Sequence, residues 1–429
     1  MTVATRIGRF VRESPQRAAL LAYIFWVVLT LLYLRSASAR DSTSLFFDEK
    51  HGYDPIYTRH RMKQAEQFIN QANNGAPAHV GSSIPFLAVG IVTIQRDSHR
   101  YFRLTVGSIL EGLRDKERGE IRLLNMIADV NPQKHQAYNE SWLHTLSDKV
   151  LTYQDADVPS ELRDRMAELE VSDHSHVFKP MLDYIHLMRA CYATGAPYIA
   201  LLEDDVLAAD GWYHRTLAAL DQLHAQQKLD DTVYLRLFYN SGLLGWNSER
   251  WLEHLMASVF IAVCVATTMY ILQRNSRTCS KFLTTRTFFV ILFVCTPCTI
   301  GLYYAAGRLT TSPLSRGVVL MDSHGCCSQA FVFPRNRVPD LIKYYESRGS
   351  GLIDQMTEIY ANERGLHRYA LVPSVFQHIG GVSSKGDDTD GGKSMKYSAA
   401  HRWNFDFELF DPLELEREHA AALKGSKAG

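Results

Sequence analysis

Three stretches without a charged side chain, Ala18–Leu34, Leu255–Leu272 and Thr287–Ala306, limit this chain more than any other feature. Each is long enough, or nearly so, to cross the roughly 30 Å hydrocarbon core of a bilayer as a helix. Arg6, Arg9, Arg12 and Arg17 flank the first stretch, and no small-residue cleavage site of the usual kind follows it. It therefore reads as a retained signal-anchor (residues 18–34) behind a cytosolic tail (1–17). The second and third stretches form a membrane hairpin, 255–306, whose connection, 273–286, carries Arg274, Arg277, Lys281 and Arg286. The positive-inside rule puts that basic connection in the cytosol as well. Three crossings then leave residues 35–254 and 307–429 in one lumenal compartment.

With 429 residues and 46% hydrophobic content, the chain has enough apolar material for one large core or two ordinary ones. Lys plus Arg equals Asp plus Glu at 46 each, so no net charge recommends nucleic acid as a partner. Residues 35–85 read as a membrane-proximal stem, with an amphipathic helix over Arg59–Gln71 and a linker rich in Asn, Gly, Pro and Ser over Asn73–Pro85. Phe86–Thr93 is a continuous apolar run suited to a strand buried on both faces, followed by a polar loop and a helical pattern. Ile121–Ala128, Lys149–Tyr153, Tyr198–Val206, Thr232–Leu237, Gly317–Pro334 and Tyr369–Val375 are further strand-like runs. A helix over Val177–Thr194 leads into the run that starts at Tyr198. Such alternation predicts a mostly parallel α/β sheet, split by the hairpin into 86–254 and 307–410, with ligands at the carboxyl ends of the strands. Residues 383–394 read as a flexible loop, and the tail 411–429 as a surface helix.

The run Tyr198–Val206 ends in Glu203-Asp204-Asp205. Three carboxylates beside a buried strand are costly to desolvate, and a divalent cation that prefers oxygen ligands is the usual compensation. Thr93, Arg96 and Asp129 close the first two strands, with Lys179 and Asp183 on the neighbouring helix. Arg96 and Lys179 could offset the charge of a diphosphate. Asn139-Glu140-Ser141 is a glycosylation sequon on the lumenal side. Of the seven cysteines, Cys191, Cys326 and Cys327 fall in the oxidising compartment, an odd number. Either the adjacent pair is joined or one bond reaches Cys191.

Several motifs carry a family likeness in chain order: Phe86–Arg96, His176–Tyr192 with Lys179 and Asp183, Leu202–Val206, and Pro373–Gly380. This set resembles the complex-type N-acetylglucosaminyltransferase IV group. The hairpin inside the domain instead resembles the family of post-GPI attachment to proteins factor 4, Golgi enzymes that add N-acetylgalactosamine to glycosylphosphatidylinositol (GPI). The resemblance implies a glycosyltransferase-A (GT-A, Rossmann-like) fold and an inverting, UDP-sugar-dependent transfer from UDP-GalNAc to a mannose of the GPI glycan at the Golgi membrane. It also implies bound Mn2+ (or Mg2+) on Glu203, Asp204 and Asp205, with Glu203 standing where the family's pattern begins with Asp. By the same resemblance His378 is a metal-binding histidine. Asp354, which opens a helix after a glycine-rich turn, is the catalytic base, and Glu358 is its reserve. The rival expectations are a transferase of the same fold acting on N-glycans or glycolipids, and a non-catalytic membrane adaptor.

Overall fold

The computed structural model describes residues 14–73, 84–96, 100–174, 176–323, 325–381 and 402–425. The first part of the basic tail, most of the 73–85 linker and the glycine-rich 383–394 stretch lie outside the described residues. The chain divides into two compact units, residues 1–54 with 241–313 and residues 55–240 with 314–429.

The first unit is helical. Pro15–Ala37, Trp251–Asn275 and Thr285–Ala305 are each long and apolar enough to cross a membrane. Pro15 occupies the first turn of its helix, where a missing N–H costs nothing. Pro297 instead falls inside Thr285–Ala305, and the turn before it widens into a π-helix over Ile291–Cys295. A proline ring cannot accept the regular spacing there, and the wider turn accommodates it. Large apolar side chains such as Phe25, Leu32, Phe260, Val263, Phe289 and Phe293 are exposed. Apolar surface on this scale belongs in lipid, so this is a membrane protein. Gln16 donates to the carbonyl of Phe282 at 3.3 Å, while beyond the other end of the first helix the amide of Leu45 donates to the carbonyl of Ala305 at 2.9 Å. Asp41 accepts from the amide of Thr310 at 2.7 Å.

The second unit is a mixed α/β layer structure. Its main sheet contains β1 (Leu87–Thr93), β2 (Ile121–Ile127), β3 (Lys149–Leu151), β4 (Tyr198–Glu203), β6 (Thr232–Arg236), β7 (Gly317–Leu320), β8 (Ala330–Pro334) and β9 (His367–Val372). Their spatial order is β3-β2-β1-β4-β8-β6-β9-β7. The β3-β2-β1-β4 portion is parallel, and β8 runs antiparallel between β4 and β6. Strands from before and after the apolar helices are thus interleaved in one sheet. The run Gly317–Pro334 is two strands rather than one, because the polar Asp322–Ser328 stretch interrupts it. A small ribbon, β5 (Val206–Ala208) against β10 (Phe376–His378), extends from the end of β4.

Apolar side chains fill both faces of the sheet, with Phe102, Trp142, Trp212 and Leu220 in one cluster and Met181, Leu187, Phe333 and Tyr345 in the other. On the second face the helix Lys179–Ala193 approaches β1 so closely that a Cβ on Gly90 would lie 2.6 Å from Sγ of Cys191 and 2.9 Å from Leu201. Gly90→Ala is therefore expected to destabilise the unit by about 1–3 kcal/mol through overpacking, with Cys191→Ala partly restoring the loss. Thermal unfolding of the single and double variants checks this, and a neutral single variant defeats it.

Tyr57–Asn73, within the stretch read as a stem, belongs to the α/β unit. Its Arg61 is fully buried and donates to the carbonyls of Ala208 at 2.8 Å and Ser108 at 2.8 Å while pairing with Glu111. A buried guanidinium satisfied in this way fastens the helix to the sheet. The tail folds as a helix over Pro412–Gly425, with Leu415 buried against Tyr57 and Phe407.

Candidate active site

The parallel strands deliver their carboxyl ends to one edge, and the sequence-selected polar residues gather there. Thr93 closes β1, and its hydroxyl donates to Oδ2 of Asp204 at 2.7 Å. Arg96 pairs with Oδ1 of Asp204 and, at 3.2 Å, with Oδ2 of Asp205. The hydroxyl of Thr105 donates to the main-chain carbonyls of Asp204 and Val206 at 2.8 and 2.7 Å, fixing the turn that carries the carboxylates. The β5–β10 ribbon then brings in the last third of the chain. His378 is in register with Val206, its Nε2 lies 3.5 Å from Oδ2 of Asp205, and the amide of Ile379 donates to the carbonyl of Asp205 at 2.8 Å. A Cβ on Gly380 would lie 2.2 Å from Oδ2 of Asp205, so only glycine permits this approach.

The electrostatics are uneven. Burial pushes Glu203 up to about 7, reinforced by the charge of Asp205. Burial also raises Asp204, to about 6, against the opposing pull of Arg96. For Asp205 burial is outweighed by His378 and Arg96, which hold it near 2. Asp205 is therefore the fixed anion of the three. Its Oδ1 is buried with no hydrogen-bond partner among the described residues, whereas both oxygens of Asp204 are engaged by Thr93 and Arg96.

Asp354 stands in the first turn of Ile353–Glu363, and its Oδ2 accepts the amide of Cys327 at 3.0 Å. The next residue, Ser328, donates from its hydroxyl to Oε1 of Glu203 at 2.7 Å. One loop thus ties Asp354 to the acidic triplet. Cys326 and Cys327 in that loop are disulfide-bonded to each other, and Arg236 donates to the carbonyl of Cys326. Cys191 is left as a buried thiol under β1, so the alternative bond to Cys191 does not form. Glu358 is buried between Arg368, Arg236 at 3.3 Å and the hydroxyl of Tyr234, a network that commits it to holding the fold.

The remaining selected residues divide between the cleft and its support. Thr93, Arg96 and Asp204 line a cleft together with Gln95, Arg100, Tyr101, His135 and Gln136. Asp129 lies just behind it, accepting the amide of Gln95 at 3.0 Å, with its carboxyl raised by burial. The ammonium of Lys179 donates to the carbonyl of Ala128 at 2.6 Å and to Asp183 at 3.0 Å. Tyr153 also donates to Asp183. Lys179 and Asp183 therefore brace the end of β2 and are not among the lining residues. Asn139 is exposed in the short turn after Gln136.

His135 and Tyr101 are the functional candidates that sequence reasoning missed. His135 is buried within 3.1 Å of Thr93, and burial depresses it to about 4, leaving a neutral ring beside the cleft. Tyr101 lies under the guanidinium of Arg96 at 5.3 Å and accepts the amide of Gly381 at 3.1 Å. Both follow strand ends, where position in the sheet and not residue spacing supplies the signal.

Sheet, cleft and buried carboxylates together define a membrane-anchored α/β protein with an enzyme-like polar centre at its strand ends. The family model described as GPI-N-acetylgalactosamine transferase PGAP4 matches residues 87–377, about two thirds of the chain. The chain belongs to this family, which is a family of glycosyltransferases. No curated protein matches it.

Proposed function

We propose that the protein transfers N-acetylgalactosamine from UDP-GalNAc to a mannose of the GPI glycan, with inversion, at the lumenal face of the Golgi membrane. The family match carries this reading, because it begins at β1 and ends within β10, and so takes in the cleft-lining residues, the acidic triplet and Asp354. In this reading the second unit has the GT-A arrangement. Since β8 lies between β4 and β6, residues on either side of Trp251–Ala305 occupy one compartment, which an even number of crossings between them satisfies. The basic tail and the 273–286 connection then face the cytosol.

The acidic edge suits a divalent cation. Hard oxygen donors and one imidazole converge there, and Oδ1 of Asp205, without a hydrogen-bond partner among the described residues, supplies an acceptor. Asp205 and His378 would be the principal ligands of Mn2+ (or Mg2+), with Glu203 beside them. The bound ion would counter the charge of the departing diphosphate. Asp204, steadied by Thr93 and Arg96, would face the sugar or ribose of the donor. Arg96 offsets the excess negative charge of the edge, and Asp354 accepts the proton of the attacking mannose hydroxyl.

A donor screen tests the reading. Purified full-length protein in detergent with Mn2+ is expected to hydrolyse or transfer from UDP-GalNAc in preference to UDP-galactose and UDP-N-acetylglucosamine. Preference for either of the other donors would reject the assigned sugar, and turnover of none of the three would reject the enzyme.

A further inference from the structure

Three helices bring together a second set of potential ligands, none of them shared with the acidic edge, that the transferase reading does not use. One ligand atom from each of Glu117, His214 and His419 lies within 4.8 Å of the others. Glu117 comes from the short helix Asp115–Glu120, His214 from the first turn of Trp212–Ala225, and His419 from the terminal helix Pro412–Gly425. Glu117 and His419 are buried, and the His214 side chain is only 15% exposed.

Short polar contacts distinguish the two nitrogens of each ring. His419 holds Nε2 3.0 Å from both oxygens of Glu117, and its Nδ1 lies at ion-pair distance, 3.3 Å, from Oδ1 of Asp210, an oxygen with no hydrogen-bond partner among the described residues. His214 holds Nε2 3.3 Å from Glu418, whose carboxylate is also gripped by Arg215 at 2.6 and 2.9 Å. Nδ1 of His214 is buried and has no hydrogen-bond partner among the described residues. Each imidazole therefore has one nitrogen oriented by a carboxylate and one left for the cluster. This carboxylate–histidine arrangement is how proteins fix the tautomer and direction of metal-ligating histidines. The rings are stacked, with centroids 5.1 Å apart. The stacking depends on Gly211, at φ +67°, where a Cβ would lie 2.5 Å from the His214 ring.

We infer that Glu117, His214 and His419 form a binding site for a zinc-class divalent cation, separate from the acidic edge, which fastens the terminal helix to the α/β unit. Two imidazoles and one carboxylate suit Zn2+ or Co2+, whereas Mg2+ and Ca2+ favour sites made of oxygen alone. Nδ1 of His214, Nε2 of His419 and the Glu117 carboxylate are the ligands, with Asp210 and Glu418 orienting the rings. A bound dication also balances the carboxylates of Glu117 and Asp210 while leaving both rings neutral. The competing arrangement is a proton in place of the ion, with a charged His419 between Glu117 and Asp210.

The test uses the full-length protein in detergent, stripped with chelator and titrated with Co2+ in excess Mn2+ to occupy the acidic edge. One equivalent of Co2+ is expected to give the intense visible absorption of a low-coordinate nitrogen-containing site, displaced stoichiometrically by Zn2+. Asp205→Ala should retain the band. His419→Gln and His214→Gln should each weaken Co2+ affinity by about 10-fold or more. Addition of Zn2+ should raise the thermal midpoint of the parent protein but not of either histidine variant. His214→Gln keeps the test available should His419→Gln fail to fold, since His214 is the less buried of the two. The inference is overturned if no band forms, if the band survives both histidine substitutions or is lost in Asp205→Ala, or if chelator and Zn2+ leave the midpoint unchanged. That last outcome identifies the proton-held arrangement.

Discussion

Replacing Asp205 by Ala is expected to lower transfer by at least about 100-fold, in line with the loss of a preorganised charge at a reaction centre. The expectation comes from the inequality among the three carboxylates. Asp204 has both oxygens occupied, by Thr93 and Arg96, and Glu203 accepts from Ser328. Among the described residues Asp205 is the one of the three whose buried oxygen has no partner, and it faces His378 through the other. Removing its side chain leaves Arg96 paired to Asp204, so the edge does not acquire an uncompensated guanidinium and the fold should survive. The proper readouts are initial rate, Mn2+-dependent binding of UDP by calorimetry, and the thermal midpoint. A loss of UDP binding with an unchanged midpoint supports Asp205 as the ion-holding residue. A variant within a few fold of the parent in rate, at the same Mn2+ concentration, would end that assignment.

The strands that make this edge were legible because burial on both faces leaves a continuous apolar run. β1 and β4 fall within such runs, while β2 is broken by Arg122 and Asn125 and β6 is bounded by Thr232 and Arg236. The acidic triplet stood out for the opposite reason, as charge placed where the pattern calls for a buried end. What stayed hidden depends on partners distant in sequence. The β5–β10 ribbon is only three residues on each strand, and nothing in Val206–Ala208 announces pairing with Phe376–His378. Arg61 lies in a stretch that reads as an amphipathic helix of a stem, yet its guanidinium is fully buried because Ala208, Ser108 and Glu111 meet it. Lys179 and Asp183 were selected as cleft residues from their helix, but their i, i+4 spacing is also that of an ion pair, which is what they form. The Glu117–His214–His419 cluster joins segments about 100 and 200 residues apart, a distance over which no spacing rule operates.

Asp354→Asn is expected to cost about 100- to 10,000-fold in kcat, the span over which a general base contributes to proton transfer. Asparagine is the informative substitution because the side chain keeps its shape. Its carbonyl oxygen can still accept the amide of Cys327, which Oδ2 of Asp354 accepts at 3.0 Å, so the loop that carries Ser328 to Glu203 keeps its anchor. The same loop is held independently by Arg236 at the carbonyl of Cys326, and that guanidinium is itself paired with the buried Glu358. The lesion is then lost basicity plus the one local hydrogen bond from the Gln355 amide, which Oδ1 accepts at 2.8 Å within the same helix turn, and the KM for the UDP-sugar and Mn2+-dependent UDP binding should remain within about 3-fold of the parent, as expected for a group that acts only as reaction proceeds. Asp354→Ala removes the anchor as well, and should add a weakening of donor binding through Glu203 to the loss of rate. The two substitutions together distinguish a base from a brace: if the asparagine variant turns over normally while the alanine variant fails, Asp354 positions the loop and the proton leaves by another group. If both lose kcat but only the alanine variant loses donor affinity, the carboxylate takes the proton, and the loop that joins it to the acidic triplet is what sets its distance from the reacting sugar.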